Sequence, residues 1–233
     1  LAGAVSVLNE AGCALVGGHT GEGAELALGF AINGLIDETL SNILQKGGMR
    51  PGDVLILTKP IGTGTLFAAH ARLQAAGRWI DAALDSMQVS NRAAATCLTV
   101  HGATACTDLT GFGLLGHLLE MTRASGVDAE IELAALPVLD GAVDTVLAGI
   151  FSSLQAANLK LGRVLQNPQA FVKHPHFPLL FDPQTAGGLL ASVPADSVEA
   201  CLAELRRLGY SKAVRIGRVL AQGESLESIR LIA

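Results

Sequence analysis

Charge and aromatic rings are both scarce in this chain: Asp, Glu, Lys and Arg make up 16% of its 233 residues, and Phe, Trp and Tyr only 4%, with a single Trp and a single Tyr. The net charge is −5 and no lysine or arginine cluster is present. Nucleic acid is held by a basic stripe and a row of stacking rings, so these absences argue against a nucleic-acid surface. Long apolar runs are missing too. Half the chain is apolar, yet no run approaches the roughly 20 residues needed to cross a bilayer, and no membrane span is expected. The four cysteines, Cys13, Cys97, Cys106 and Cys201, form no C-x-x-C pair. Cys13, Cys97 and Cys106 lie in apolar or small-residue runs and read as buried free thiols in a reducing compartment, the cytoplasm. No signal-peptide pattern stands at the start. The first residue is leucine, and Leu1–Glu10 reads like the middle of a helix without a capping residue. The chain is therefore expected to be a piece of something longer.

What is present is apolar sequence in short segments, punctuated by 27 glycines. "GCALVGG" (Gly12–Gly18) and "AELALGFAINGLI" (Ala24–Ile36) read as strands joined by a polar "HTGEG" link. The turn-rich "QKGGMRPGD" (Gln45–Asp53) follows, which places a domain boundary there, giving 1–45 and 46–233. Beyond it strands are expected in "VLILTKP", "ATACTD", "AEIELAALP", "GGLLASVP", "AVRIGRVL" and "SIRLIA". Helices are expected after Gly62, across 78–102 (one or two), in "TGFGLLGHLLEMTRASG", in "GAVDTVLAG" and in "DSVEACLAELRRLG". The stretch from about 150 to 180 reads as irregular. Strands alternating with helices indicate a mixed α/β layer packing.

Four segments are candidates for chemistry. In "GGHTGEGAE" the paired glycines Gly17 and Gly18 let backbone approach a ligand, and His19 and Thr20 add donors; a plain hairpin turn explains the same residues. In "TDLTGFGLLGHL" the lone Asp108 precedes a helix. Capping that helix is the simple role for it, and a hard oxygen ligand for Mg²⁺ the sharper one. His117, on the same apolar helix, reads as a core histidine. "TKPIGTGT" is not a P-loop, because no Lys-Ser/Thr pair follows its second glycine, so capping of a helix start is favoured over anion binding. "FDPQTAGGLL" alone reads as a loop, and "HPH" at 174–176 as surface loop rather than a metal pair. No spacing supports a Ser-His-Asp or Cys-His arrangement.

Taken together and in order, "LVGGHT", "LTKPIGTG", "TDLTGFGLLGHLLEM" and "FDPQTAGGLL" resemble the selenophosphate synthetases (selenide, water dikinases). These belong to the ATP-binding superfamily shared with aminoimidazole ribonucleotide synthetase, thiamine-monophosphate kinase and a hydrogenase maturation protein. The resemblance runs from Gly12 to the end. It implies an aminoimidazole-ribonucleotide-synthetase-like α/β (α+β) fold: a truncated N-terminal ATP-binding domain, then a complete C-terminal α/β domain. It also implies a homodimer that makes selenophosphate from selenide, ATP and water, with release of AMP and phosphate. On this resemblance Gly17, Gly18, His19 and Thr20 contact ATP, and Asp108 binds Mg²⁺. The family's catalytic Cys or selenocysteine and its essential lysine lie upstream of Leu1, so no catalytic residue is assigned here and the chain alone is expected to be inactive. Ala186 departs from the family, where serine is common. "AGIFSSLQAANL" (Ala148–Leu159) resembles the form fused behind a pyridine-nucleotide oxidoreductase. Two other readings stay open: a non-catalytic dimerisation or regulatory module of the same fold, and an ATP-dependent relative acting on a ribonucleotide or thiamine phosphate.

Overall fold

A computed structural model of the protein describes residues 1–36 and 43–233. They fall into two compact units, divided between residues 38 and 39. The end of the expected N-terminal remnant, 37–42, lies outside the described residues.

In the first unit helix α1 spans Ala2–Ala11 and stops at Gly12, whose φ of 66° turns the Cys13 N–H back onto the Leu8 carbonyl at 2.8 Å. Leu1 is its N-cap and makes no side-chain cap, as the sequence suggests. The two strands expected over 12–18 and 24–36 are not there: residues 13–36 form no strand among the described residues. A strand persists only when a neighbour takes its ladder hydrogen bonds and covers its apolar side chains. Here Val16, Leu26 and Leu35 are 94%, 101% and 105% exposed.

The second unit is built on a six-stranded sheet ordered β2-β4-β1-β5-β3-β6. In chain order its elements are β1 (Val54–Leu57), α2 (Thr63–Ala71), α3 (Gly77–Gln88), α4 (Arg92–Val100), β2 (Ala105–Asp108), α5 (Gly113–Ser125) and β3 (Asp128–Glu132). Then come α6 (Ala142–Leu147), the one-turn α7 (Gln155–Asn158), β4 (Leu189–Val193), α8 (Val198–Arg207), β5 (Val214–Leu220) and β6 (Ile229–Ile232). The stretch from 150 to 180 is not wholly irregular: besides α7 it holds tight turns over Leu159–Val164, Pro168–Ala170 and Phe177–Phe181. Prolines 168 and 178 sit at the starts of such turns, where a missing N–H costs nothing.

Pairing is antiparallel except between β3 and β6. Both faces of the sheet are covered, which is why the central strands read as unbroken apolar runs. Leu55 and Leu57 of β1 point into one core with α2, α3, α5 and α6; Ile56 points into the other, with α4 and α8. The first core includes Leu114, Leu115, Leu118 and Met121, which bury α5 almost all round. Toward the sheet's edge, Glu130 of β3 is buried and stands directly opposite Arg218 of β5 and Arg230 of β6. It accepts from Arg218 Nε at 3.0 Å and from Arg230 Nε at 2.9 Å, so its charge is compensated from both neighbouring strands.

Candidate functional site

Three of the sequence motifs meet at one end of β1, β2 and β4. Thr58 follows β1, and its hydroxyl accepts from the Leu189 N–H at 2.8 Å while its own N–H reaches the Leu189 carbonyl at 3.0 Å. The segment after β2 is clamped to the segment before β4: Leu109 N–H donates to the Gly188 carbonyl at 2.9 Å, and Gln184 N–H to the Thr110 carbonyl at 2.9 Å. Gly187 and Gly188 allow this approach. A Cβ would stand 2.5 Å from the Leu109 carbonyl oxygen at the first and 2.5 Å from the Lys59 nitrogen at the second. Asn158, buried on α7, ties the assembly down by donating to the carbonyls of Gly111 and Phe181 at 2.8 and 3.0 Å.

The start of α2 is satisfied inside the protein, as the residues alone favoured. Gln184 Oε1 accepts from the N–H groups of Gly62 and Thr63 at 2.9 and 3.2 Å and from the Thr63 hydroxyl at 3.1 Å. Asp182 Oδ2 accepts from Gly64 N–H at 3.1 Å. A helix N-terminus favours negative charge, and here the protein supplies its own. Burial nevertheless dominates at Asp182: it pushes the carboxyl up to about 7, against the pull of Gln184 and the Gly64 and Thr65 N–H groups. Beside these caps lies a recess of about 590 Å³ whose lining includes Thr63, Gly64, Arg72, Gly111, Ser152 and Thr185.

Asp108 ends β2, opposite Leu189, and is exposed. It does not cap α5: the N-cap is Phe112 and no side chain caps that helix. The helix begins five residues on, at Gly113, beyond a turn that separates its N–H groups from a carboxylate on the strand. Among the described residues Asp108 accepts no hydrogen bond, so both its oxygens are free for a hard cation. Mg²⁺ keeps several waters and takes one or two carboxylates beside substrate phosphates. Asp108 fits as one such ligand, and it belongs to no group of three metal-binding side chains among the described residues.

His117 shapes the turn that follows Asp108. It is buried, as expected of a core histidine, and its Nε2 accepts from the Thr110 N–H at 3.0 Å and contacts the Thr110 hydroxyl at 3.1 Å. The proton is thereby assigned to Nδ1, which has no hydrogen-bond partner among the described residues and lies 3.6 Å from Glu120 Oε2. Burial lowers its pKa, although the Glu120 and Asp108 charges pull the other way. The 174–176 pair is also committed: His176 Nδ1 is bonded to the Leu133 carbonyl at 2.8 Å, and His174 Nδ1 accepts from the His176 N–H at 3.2 Å.

Gly17, Gly18, His19 and Thr20 lie in the first unit and are all exposed. With Leu28, Gly29, Phe30 and Ala31 they line a concavity of about 630 Å³. Asp108 belongs to the second unit. The residues that sequence reasoning passed over are Asp182, Gln184 and Lys59. Lys59 is buried with no carboxylate partner among the described residues, donating to the carbonyls of Val89 and Ala186 at 2.5 and 3.2 Å, and burial lowers its pKa. A lysine spelled between a strand and a proline was the available clue.

The family model described as AIR synthase related protein, C-terminal domain, matches residues 50–228. The chain belongs to that family. Selenide, water dikinase of Geobacter metallireducens is 40% identical over 224 residues, covering 96% of this chain and 64% of that protein. The protein of the same name from Clostridioides difficile is 35% identical over 228 residues, again with 96% and 64% covered. The chain thus spans a little under two thirds of the length of these relatives. Among solved structures, hydrogenase maturation protein HypE in complex with ATP superposes with a TM-score of 0.58 at 20% identity, over 81% of this chain and 49% of that one. That likeness establishes the AIR-synthase-like α/β fold. Among the described residues no helix is long and apolar enough to cross a membrane.

Proposed function

We propose that this chain is the larger, C-terminal part of a selenide, water dikinase, which makes selenophosphate from selenide, ATP and water and releases AMP and phosphate. The 40% identity to the Geobacter metallireducens protein of that name, over 96% of the chain, carries the reading. In it, Asp108 is one ligand of Mg²⁺, supported by its free carboxylate on a strand end. Such an ion, held in part by Asp108, would supply positive charge against the polyphosphate, in a reaction that depends on positioning and electrostatics. His117 acts through Thr110: it fixes the turn after β2 and thereby the direction in which Asp108 faces. Gly17 and Gly18 offer backbone N–H groups to ATP without a side chain in the way, and His19 and Thr20 add donors. The working protein is a homodimer in a reducing compartment, where its thiols stay free; all four are unpaired here. Fusion to an oxidoreductase module rests on 148–159 alone.

The test is selenide-dependent AMP formation by the full-length protein with Mg²⁺ and ATP. AMP that appears only when selenide is present supports the reading. ATP left intact by folded protein would favour a non-catalytic module, and nucleotide turnover indifferent to selenide would favour a relative with another acceptor.

A further inference from the structure

On the face of the sheet opposite α5, two buried thiols and an imidazole converge. Cys97 and His101 stand one turn apart at the end of α4, and Cys201 faces them from α8. Their potential ligand atoms all lie within 4.8 Å of one another. The proposed phosphoryl-transfer chemistry uses none of them, and no disulfide joins the cysteines. We propose that Cys97, His101 and Cys201 form a binding site for a thiophilic divalent cation, Zn²⁺ being the natural occupant, with its fourth position open to water.

The geometry suits this ion. Zn–S bonds of about 2.3 Å and Zn–N bonds of about 2.0–2.1 Å set tetrahedral ligand atoms roughly 3.5–3.8 Å apart. Cys97 Sγ and His101 Nδ1 already stand 3.7 Å apart. Without metal, both are lightly engaged: the Cys97 thiol donates to the Cys201 carbonyl at 3.8 Å, and His101 Nδ1 is bonded to the Cys97 carbonyl at 2.8 Å. The imidazole can leave that carbonyl at small cost, its ring proton passing from Nδ1 to Nε2, because the His101 backbone N–H also donates to the carbonyl, at 3.1 Å. A free thiol ordinarily carries its proton at neutral pH, and burial raises both Cys97 and Cys201 further. Ligation must therefore displace both protons, M²⁺ plus two thiols giving the bis-thiolate and two H⁺. His101 is only partly buried and provides the route in from solvent. Glu204, which flanks the group, is held by Arg207 at 2.7 and 2.6 Å and is not counted as a ligand.

The experiment is titration of the reduced chain with Co²⁺, a spectroscopic stand-in for Zn²⁺. The expected result is a thiolate-to-cobalt charge-transfer band that saturates at a single equivalent, is abolished by Zn²⁺, and is accompanied by proton release in weakly buffered solution. Cys97→Ser with Cys201→Ser should eliminate the band while Cys13 and Cys106 remain. His101→Gln, on a partly exposed residue that leaves the core intact, should weaken Co²⁺ binding by more than about 10-fold, the least that losing even an outer-shell partner of a metal costs. Absence of the band in folded, reduced protein would overturn the proposal. So would a band of undiminished strength in the double serine variant, or Co²⁺ affinity unchanged in His101→Gln.

Discussion

The Asp182 carboxylate accepts the Gly64 backbone N–H at 3.1 Å, across 118 residues of sequence, and so places a buried acid on the first turn of α2. Its other oxygen is buried without a partner among the described residues. The carboxyl rises from 3.8 to about 7 in the folded protein, chiefly through burial. Between those values the folded state binds more protons than the unfolded one. This contribution to stability is therefore full below the unfolded value and is lost as pH rises through about 7. Asp182→Asn keeps an acceptor for Gly64 and removes the titration. Urea unfolding across that pH range should show a downward slope in the wild type that is shallower in the variant. Parallel profiles would contradict the assignment.

Gln184 satisfies both N–H groups and the hydroxyl at the start of α2, through a single oxygen. Truncation to alanine orphans them in a buried place. Combining a lost cap with unsatisfied donors gives an expected destabilisation of about 2–3 kcal/mol. Denaturant midpoints measure it. A change within about 0.5 kcal/mol, the range of an ordinary surface substitution, would show that water replaces the side chain.

Glu130 is 4% exposed as a side chain, while its partners Arg218 and Arg230 are 59% and 47% exposed. Removing the carboxylate lets both arginines rehydrate, so Glu130→Ala should cost about 2 kcal/mol, below the 3–5 kcal/mol of a fully buried pair. Arg218→Ala alone should cost less, because Arg230 still compensates the charge. The two arginine substitutions together should cost more than the sum of each alone. Additivity in chemical denaturation would argue against shared compensation.

Asp108→Asn should leave the unfolding free energy within about 0.5 kcal/mol of wild type, since the side chain is exposed and accepts no hydrogen bond among the described residues. In the full-length protein the same change should raise the Mg²⁺ concentration needed for turnover. Unchanged Mg²⁺ dependence would remove Asp108 from the metal site. The 233-residue chain alone should form no AMP, and AMP formation by it would contradict the proposal.

Much of the second unit is legible in the sequence. "VLIL", "ACTD" and "LLASV" are short apolar runs bounded by turn residues, and each became a strand where expected. Residues 13–36 carry a similar apolar pattern without forming strands, because pattern reports which side chains need cover and not whether a neighbouring strand provides it. Asp108 is visible as a single acid at a strand–helix junction, where the local rule favours a cap and the resemblance implies a metal ligand; it does not cap α5. The cap of α2 comes from Gln184, 122 residues beyond Gly62. No local pattern shows such a contact; only the pairing of β4 with both β1 and β2 brings those segments together.

The central claim is tested most directly by phosphorus NMR of the full-length protein incubated anaerobically with ATP, Mg²⁺ and selenide. The account predicts a selenophosphate resonance that grows together with AMP and phosphate. ATP resonances that persist unchanged in folded protein, or AMP formed without selenophosphate, would contradict it.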